Sequence, residues 1–203
     1  MKYIIMAAGQ GKRWNDYLGV PKHLVEINGE TLLGRTTRLL KKYNINDYVI
    51  TSSDPRYAQY GPTIPQSDND CEIDRFEESV IDGPVCYLYG DVYYTEEAIK
   101  TIINTPALDV QFFGSWYEIF AIKVNYIDLF LTHKRKIKKL YLENHIDRCI
   151  GWEVYRSLNS IPLTEHIIKD RYTVINDGTD DIDYPHDYED FKQRMEGLYG
   201  NVH

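Results

Sequence analysis

Ile4-Ile5-Met6-Ala7-Ala8-Gly9-Gln10-Gly11-Lys12-Arg13, followed at a distance by Pro21-Lys22, is the stretch on which the rest of the chain turns. Residues 3–6 form a short apolar run, the pattern of a buried strand, and it empties at once into a loop of small residues. Two glycines there let backbone N–H groups come close to a ligand, and Lys12, Arg13 and Lys22 add fixed positive charge. Such a combination is a nest for phosphate oxygens. It is not the Walker loop, because Met6 stands where the first glycine is needed and no Ser or Thr follows Lys12. Nor is it the dinucleotide loop, because Trp14 occupies the place of the third glycine.

Outward from the loop, residues 31–43 carry apolar side chains at amphipathic-helix spacing, and residues 47–51 read as a second strand. Strand, helix and strand at this spacing predict a βαβ unit with a parallel pair. Residues 52–72, rich in Ser, Asp, Pro and Tyr, predict a long loop near the ligand. Residues 74–82 predict a short helix that would put Arg75 and Ser79 on one face. Residues 85–89 are a continuous apolar strand, buried on both faces, that ends in Gly90-Asp91. An acid at the end of a central parallel strand lies in the crevice where open α/β sheets bind ligands. Thr95 caps a helix with an acidic first turn, and strands follow over 110–115 and 117–124. Residues 125–160 are helical in pattern, and 172–175 make a last strand. That strand runs into an acid-rich segment and a helix opened by Pro185, expected to bury Tyr188, Phe191, Met195 and Leu198. The basic run at Lys134, Arg135, Lys136, Lys138 and Lys139 reads either as a solvated helix face or as a clamp on an anionic substrate.

Composition narrows the function classes. The 203 residues carry a net charge of −8, which argues against nucleic acid as a partner. Cys71, Cys86 and Cys149 are odd in number and far apart in sequence, which fits a reducing compartment and no structural zinc. None of the six histidines has metal-ligand spacing. No run is long enough for a membrane span, so the expectation is a cytoplasmic protein without a membrane partner.

Ala7-Ala8-Gly9-x-Gly11-x-Arg13, Pro21-Lys22 and Val25-x-Ile27-Asn28-Gly29 resemble the signature of the GT-A-like nucleotidyltransferase superfamily. That superfamily includes MobA-like enzymes, sugar-phosphate nucleotidyltransferases and cytidylyltransferases. The resemblance implies one Rossmann-like domain with an open, mostly parallel twisted sheet, helices on both faces and a small acceptor-side β/α extension. Residues 1–108 would be mainly the nucleotide half, 109–171 the acceptor side, and 172–203 the returning strand, a metal-binding acid and the last helix. It further implies an NTP, with CTP favoured, bound by Ala7, Ala8, Gly9, Gly11, Lys12, Arg13 and Lys22. Arg75 and Ser79 would touch cytosine or ribose, and Arg13 and Lys22 would act in catalysis. Mg²⁺ would sit on Asp91 and Asp183, with Asp181 as the alternative to Asp183, and Trp116, Tyr117 and Glu118 would meet a small phosphorylated acceptor. Loss of Lys22 or Asp91 is expected to lower turnover at least ~100-fold and to leave the fold intact. Surface-polymer biosynthesis is the expected setting, and a homodimer the expected assembly if there is one. Two other classes stay open: a GT-A glycosyltransferase, whose metal motif Asp181-x-Asp183 also fits, and a non-catalytic nucleotide-binding regulator.

Overall fold

A computed structural model describes residues 1–66 and 69–199, without the side chains of Glu196, Leu198 and Tyr199, so the expected burial of Leu198 lies outside the described residues. In chain order the elements are β1 (Lys2–Met6), β2 (Glu26–Ile27), β3 (Glu30–Thr31), α1 (Leu32–Lys42), β4 (Tyr48–Thr51), β5 (Thr63–Ile64), β6 (Val85–Tyr89) and β7 (Val92–Tyr93). They continue with α2 (Glu96–Asn104), β8 (Val110–Gly114), β9 (Ile119–Val124), α3 (Ile127–Leu142), α4 (Gly151–Leu158), β10 (Tyr172–Val174), β11 (Asp180–Asp181) and α5 (Pro185–Tyr199).

Seven strands form one sheet in the order β10-β8-β9-β6-β1-β4-β5. β1 is central and runs parallel to both β4 and β6, with Ile4 opposite Val49 on one side and Tyr87 on the other. β9 alone breaks the parallel pattern, lying antiparallel to β6 and β8. The alternation of a strand sends Ile4 and Met6 to one face, in a core shared with α3 and α4 through Phe130, Ile137, Val154 and Tyr155. Tyr3 and Ile5 go to the other face, shared with Leu33 and Leu40 of α1 and Ile99 and Ile102 of α2. Helices therefore cover both faces, as the α/β reading expected. Residues 110–174 widen the sheet on the β6 side, with β9, β8 and β10 added in turn.

Thr31 and Thr95 start the two helices on one face, each hydroxyl accepting at 3.0 Å from the amide three residues on. A third core joins the two ends of the chain: Trp14, Val25, Ile27 and Leu32 pack with Ile182, Tyr188 and Phe191. Among the described residues no helix is long and apolar enough to cross a membrane.

One expectation needs correction. Residues 74–82 are not a helix: one 3₁₀ turn, Glu72–Arg75, gives way to irregular chain. The backbone acceptors a helix would use are taken by distant side chains. Lys134 donates to the Phe76 carbonyl at 2.9 Å, Tyr87 to that of Glu77 at 3.0 Å and Lys2 to that of Val80 at 3.2 Å. The basic run on α3 divides: Arg135, Lys136 and Lys139 are exposed, as the solvated-face reading expected, while Lys134 is buried and Lys138 half-buried. Lys134 and Arg135 pair with Glu78, and Lys138 with Asp74, so these cations brace the 72–82 segment. Two of the three cysteines, distant in sequence, meet in space, with the sulfurs of Cys71 and Cys149 2.8 Å apart.

Candidate active site

The loop after β1 opens at the C-terminal edge of the sheet, where the ends of β1, β4 and β6 meet. Thr51, at the end of β4, fixes its start by accepting from the Ala7 amide at 3.1 Å. Asn69 holds the Ala8 carbonyl, and Gln10 donates to the Asn69 carbonyl at 3.2 Å. Gly11 turns the chain in the left-handed region at φ +59°, which a side chain adopts only with strain. Trp14 is the far anchor: it is buried, its indole N–H donates to the Val20 carbonyl at 2.8 Å, and its ring meets Tyr188 of α5 edge-on. The residue that rules out the dinucleotide loop thus ties this loop to the end of the chain.

Ala7, Ala8 and Gly9 share a cavity of about 480 Å³ with Ser52, Asp54, Tyr57 and Gln66. Its size suits a nucleotide. Gly9, Gly11, Lys12 and Arg13 line an adjoining cavity of about 200 Å³ with Lys22, Arg75 and Asp183. A third, of about 60 Å³, lies between Arg13, Glu72, Arg75, Asp91, Asp181 and Trp152.

Lys22 stands where these spaces meet. It is buried, and its ammonium forms ion pairs with Asp91 and, at 2.8 Å, with Asp183. Arg13 pairs with the other oxygen of Asp183. Gly90 makes the approach of Asp91 possible, since a Cβ there would lie 2.6 Å from the Met6 carbonyl. The second acid is placed by main chain: β11 pairs with β7, Asp181 lies opposite Val92, and the Ile182 amide donates to the Asp91 carbonyl at 2.9 Å. Burial alone would raise Asp91, but Lys22 and then His23 outweigh it and hold the carboxyl at about 2. Burial alone would lower Lys22, and the two acids reverse that and hold it above its ordinary value. His23, beside Lys22, is buried against the Tyr57 hydroxyl at 2.8 Å and pushed down to about 4 by that burial.

Asp181 behaves differently. Burial and the nearby acids Glu118, Asp91 and Asp183 push it up to about 8. The smallest cavity gathers the carboxyl groups of Glu72, Asp91, Glu118, Asp181 and Asp183 against Arg13 and Arg75, all of them oxygen donors, although among the described residues no three acids or other ligands converge as a ready metal site. Such a donor set fits a hard divalent cation, and Mg²⁺ sites commonly use one or two carboxylates with substrate phosphates completing the shell. Asp91 and Asp183 are the pair that fits this description, with Asp181 beside them.

The remaining sequence candidates divide. Arg75 reaches the cleft and lines the two smaller cavities but not the one of about 480 Å³. Ser79 is exposed on the irregular segment and lines none of these cavities, because without the helix it shares no face with Arg75. Glu118 lines the smallest cavity. Trp116 and Tyr117 do not: both are exposed, Tyr117 stacking on His166 while the Trp152 indole donates to its carbonyl at 2.9 Å. Sequence reading did not single out Glu72, Tyr89 and Trp152 of the smallest cavity or Tyr57 and Asn69 of the largest of the three. Tyr89 ends the strand read over 85–89, and Tyr57 and Asn69 lie in the loop expected near the ligand, but no local motif marked these residues individually.

Residues 3–75 match the MobA-like NTP transferase domain family. No curated protein shows significant sequence similarity to the chain. Solved structures superpose along nearly its whole length. The CTP:phosphocholine cytidylyltransferase of Streptococcus pneumoniae aligns at a TM-score of 0.62 and 14% identity, covering 96% of this chain and 98% of that one. The fold is that of the GT-A-like nucleotidyltransferases. The inositol-1-phosphate CTP transferase of T. maritima shares it at a TM-score of 0.59 and 14% identity, over 96% of both chains. A putative glucose-1-phosphate thymidylyltransferase of Bacillus anthracis does so at 0.59 and 15% identity, over 100% of this chain and 96% of that one.

Proposed function

We propose that this chain is a nucleotidyltransferase that joins an NTP, CTP by preference, to a small phosphorylated acceptor and releases pyrophosphate. One observation carries the reading: the Lys22 ammonium held between Asp91 and Asp183, directly beside the glycine loop. A glycosyltransferase starts from a donor that is already a diphosphate and has no need of this clamp of Arg13 and Lys22. The preference for CTP is supported by two cytidylyl-transferring relatives of the same fold, and the thymidylyltransferase keeps the other bases in the test. The Arg75–Ser79 pair no longer supports it.

In this reading the base lies in the cavity of Ala7, Ser52 and Tyr57, and the triphosphate runs along the loop toward Lys22. An acceptor phosphate oxygen attacks the α-phosphorus in line; the new P–O bond forms as the bond to the β-phosphate oxygen breaks, and pyrophosphate leaves. The attacking phosphate is already an anion, so no protein nucleophile is required. The protein positions and neutralises. Lys22 is preorganised beside the α-phosphate by its two acids, and Arg13, half-exposed at the loop end, faces the departing pyrophosphate. Asp91 and Asp183 are the residues that would hold Mg²⁺, which would supply Lewis-acid polarisation of the phosphoryl oxygens. Surface-polymer precursors are the acceptor setting we favour. A pyrophosphate-release screen of each NTP against a panel of sugar and alcohol phosphates tests the assignment. Release with one NTP–acceptor pair is the expected result, and none across the whole panel would overturn it.

A further inference from the structure

We propose that Arg75 seats the phosphate of the acceptor, on the wall between the triphosphate groove and the smallest cavity; the proposal rests on the nucleotidyltransferase reading above. The surrounding turn is firmly held. Glu72 accepts from the Tyr89 hydroxyl at 2.7 Å and the Gly151 amide at 2.9 Å, and Asp74 from the Cys71 amide at 2.9 Å and Lys138 at 2.6 Å. Every acid on the turn is therefore occupied by another group. The Arg75 guanidinium is left over: its Nε is buried without a hydrogen-bond partner, and among the described residues no carboxylate lies within ion-pair distance of it. Arg13 and Lys22, by contrast, are both engaged with Asp183.

An unpaired, half-buried guanidinium is costly, and its planar fork matches two phosphate oxygens. Its position selects which phosphate. The group packs against the backbone of Gly9, where a Cβ would stand 3.3 Å from Nη1 and 3.5 Å from Cζ. It faces the loop from the side away from the base cavity, which it does not line. The space it shares, about 60 Å³, is too small for a nucleoside and of a size for one phosphate group; Arg75 and Arg13 are its cations, facing the carboxyl groups of Glu72, Asp91, Glu118, Asp181 and Asp183. In-line attack on the α-phosphorus comes from the side opposite the departing pyrophosphate, and we seat the acceptor phosphate on that side, in the space that the base cavity does not share with Arg75.

Calorimetric binding of inorganic phosphate tests this, with wild type, Arg75→Gln and Arg75→Lys, each with and without a saturating non-hydrolysable α,β-methylene analogue of CTP. On analogue-loaded protein we expect Arg75→Gln to weaken phosphate binding at least ~10-fold, the scale of one charge-assisted hydrogen-bond pair, with part of the loss restored in Arg75→Lys. Analogue affinity should stay within about twofold, since no analogue phosphate would rest on Arg75. A parallel loss of analogue affinity would make Arg75 a nucleotide ligand and overturn the proposal, as would unchanged phosphate binding. Wild-type protein that binds neither this analogue nor the corresponding α,β-methylene analogues of the other NTPs overturns the nucleotidyltransferase reading instead. That result is read separately, because the phosphate titrations without analogue still show whether Arg75 holds an anion.

Discussion

Lys22 shows how one residue sets both the chemistry and the stability of the cleft. Its two ion pairs leave neither Asp91 nor itself exposed to water by more than about a tenth of the side chain. Removing one partner of such a pair costs about 3–5 kcal/mol, because the other charge stays buried and unpaired. The expectation that Lys22→Ala would spare the fold therefore changes: urea denaturation should show a loss of that order, and weak activity in this variant would confound two effects. Asp183→Asn is the cleaner probe. Its carboxylate sits at the more open end of the cluster, 22% exposed. Turnover should fall at least ~100-fold while the denaturation midpoint hardly moves. A variant of Asp183 with near-normal turnover would remove it from the machinery.

At the scale of elements, the segment of residues 71–82 is held by α3. Burial on its own would raise the Asp74 carboxyl, but Lys138 and the amide and thiol of Cys71 hold it below the usual carboxylate range. The sign follows from linkage: a carboxyl whose folded value lies below its unfolded value of about 4 stabilises the fold fully above that pH, and the contribution disappears as pH falls through the folded value. Lys138→Met should thus destabilise the protein by about 2 kcal/mol at pH 7. The gap between variant and wild type should close below about pH 4, and a gap independent of pH would show that packing of the lysine stem is responsible. The same segment carries Cys71, whose sulfur lies 2.8 Å from that of Cys149 while Cys86 is buried in β6. Two thiols at such a separation are placed for oxidative pairing. Mild treatment with peroxide should yield one cross-linked peptide pair, Cys71 with Cys149, in a non-reducing digest. Cys86 should remain alkylatable only after unfolding. A digest in which Cys86 pairs instead would contradict the packing.

For the whole molecule, the third core decides whether the glycine loop keeps its shape. Trp14 belongs to a cluster that contains both the segment after β1 and α5. Trp14→Ala should cost about 3–5 kcal/mol and also weaken nucleotide binding, because the same ring closes the loop. Thermal melts with and without NTP would separate the two effects. This coupling marks the boundary of what was legible in the chain. β1, its loop, α1 and the Gly90-Asp91 turn could be read because each depends on neighbours in sequence: a period, a cap, a glycine. Residues 74–82 could not, because their carbonyls are claimed by Lys2, Tyr87 and Lys134, and such claims leave no trace in local pattern. Arg75 is consequently expected on a helix beside Ser79, whereas it lines the two smaller cavities of the cleft and Ser79 lines none of the three. The pairing of β7 with β11 was equally hidden, since two-residue strands carry no alternation. That small ribbon has one more consequence. It joins the two acid-bearing segments directly through main-chain bonds, so the spacing of Asp91 and Asp183 is set there and not by the length of the loops in between. Changes confined to the loops of that intervening stretch, outside α2, β8 and β9 that build the cores, can then leave the spacing of the two acids as it is.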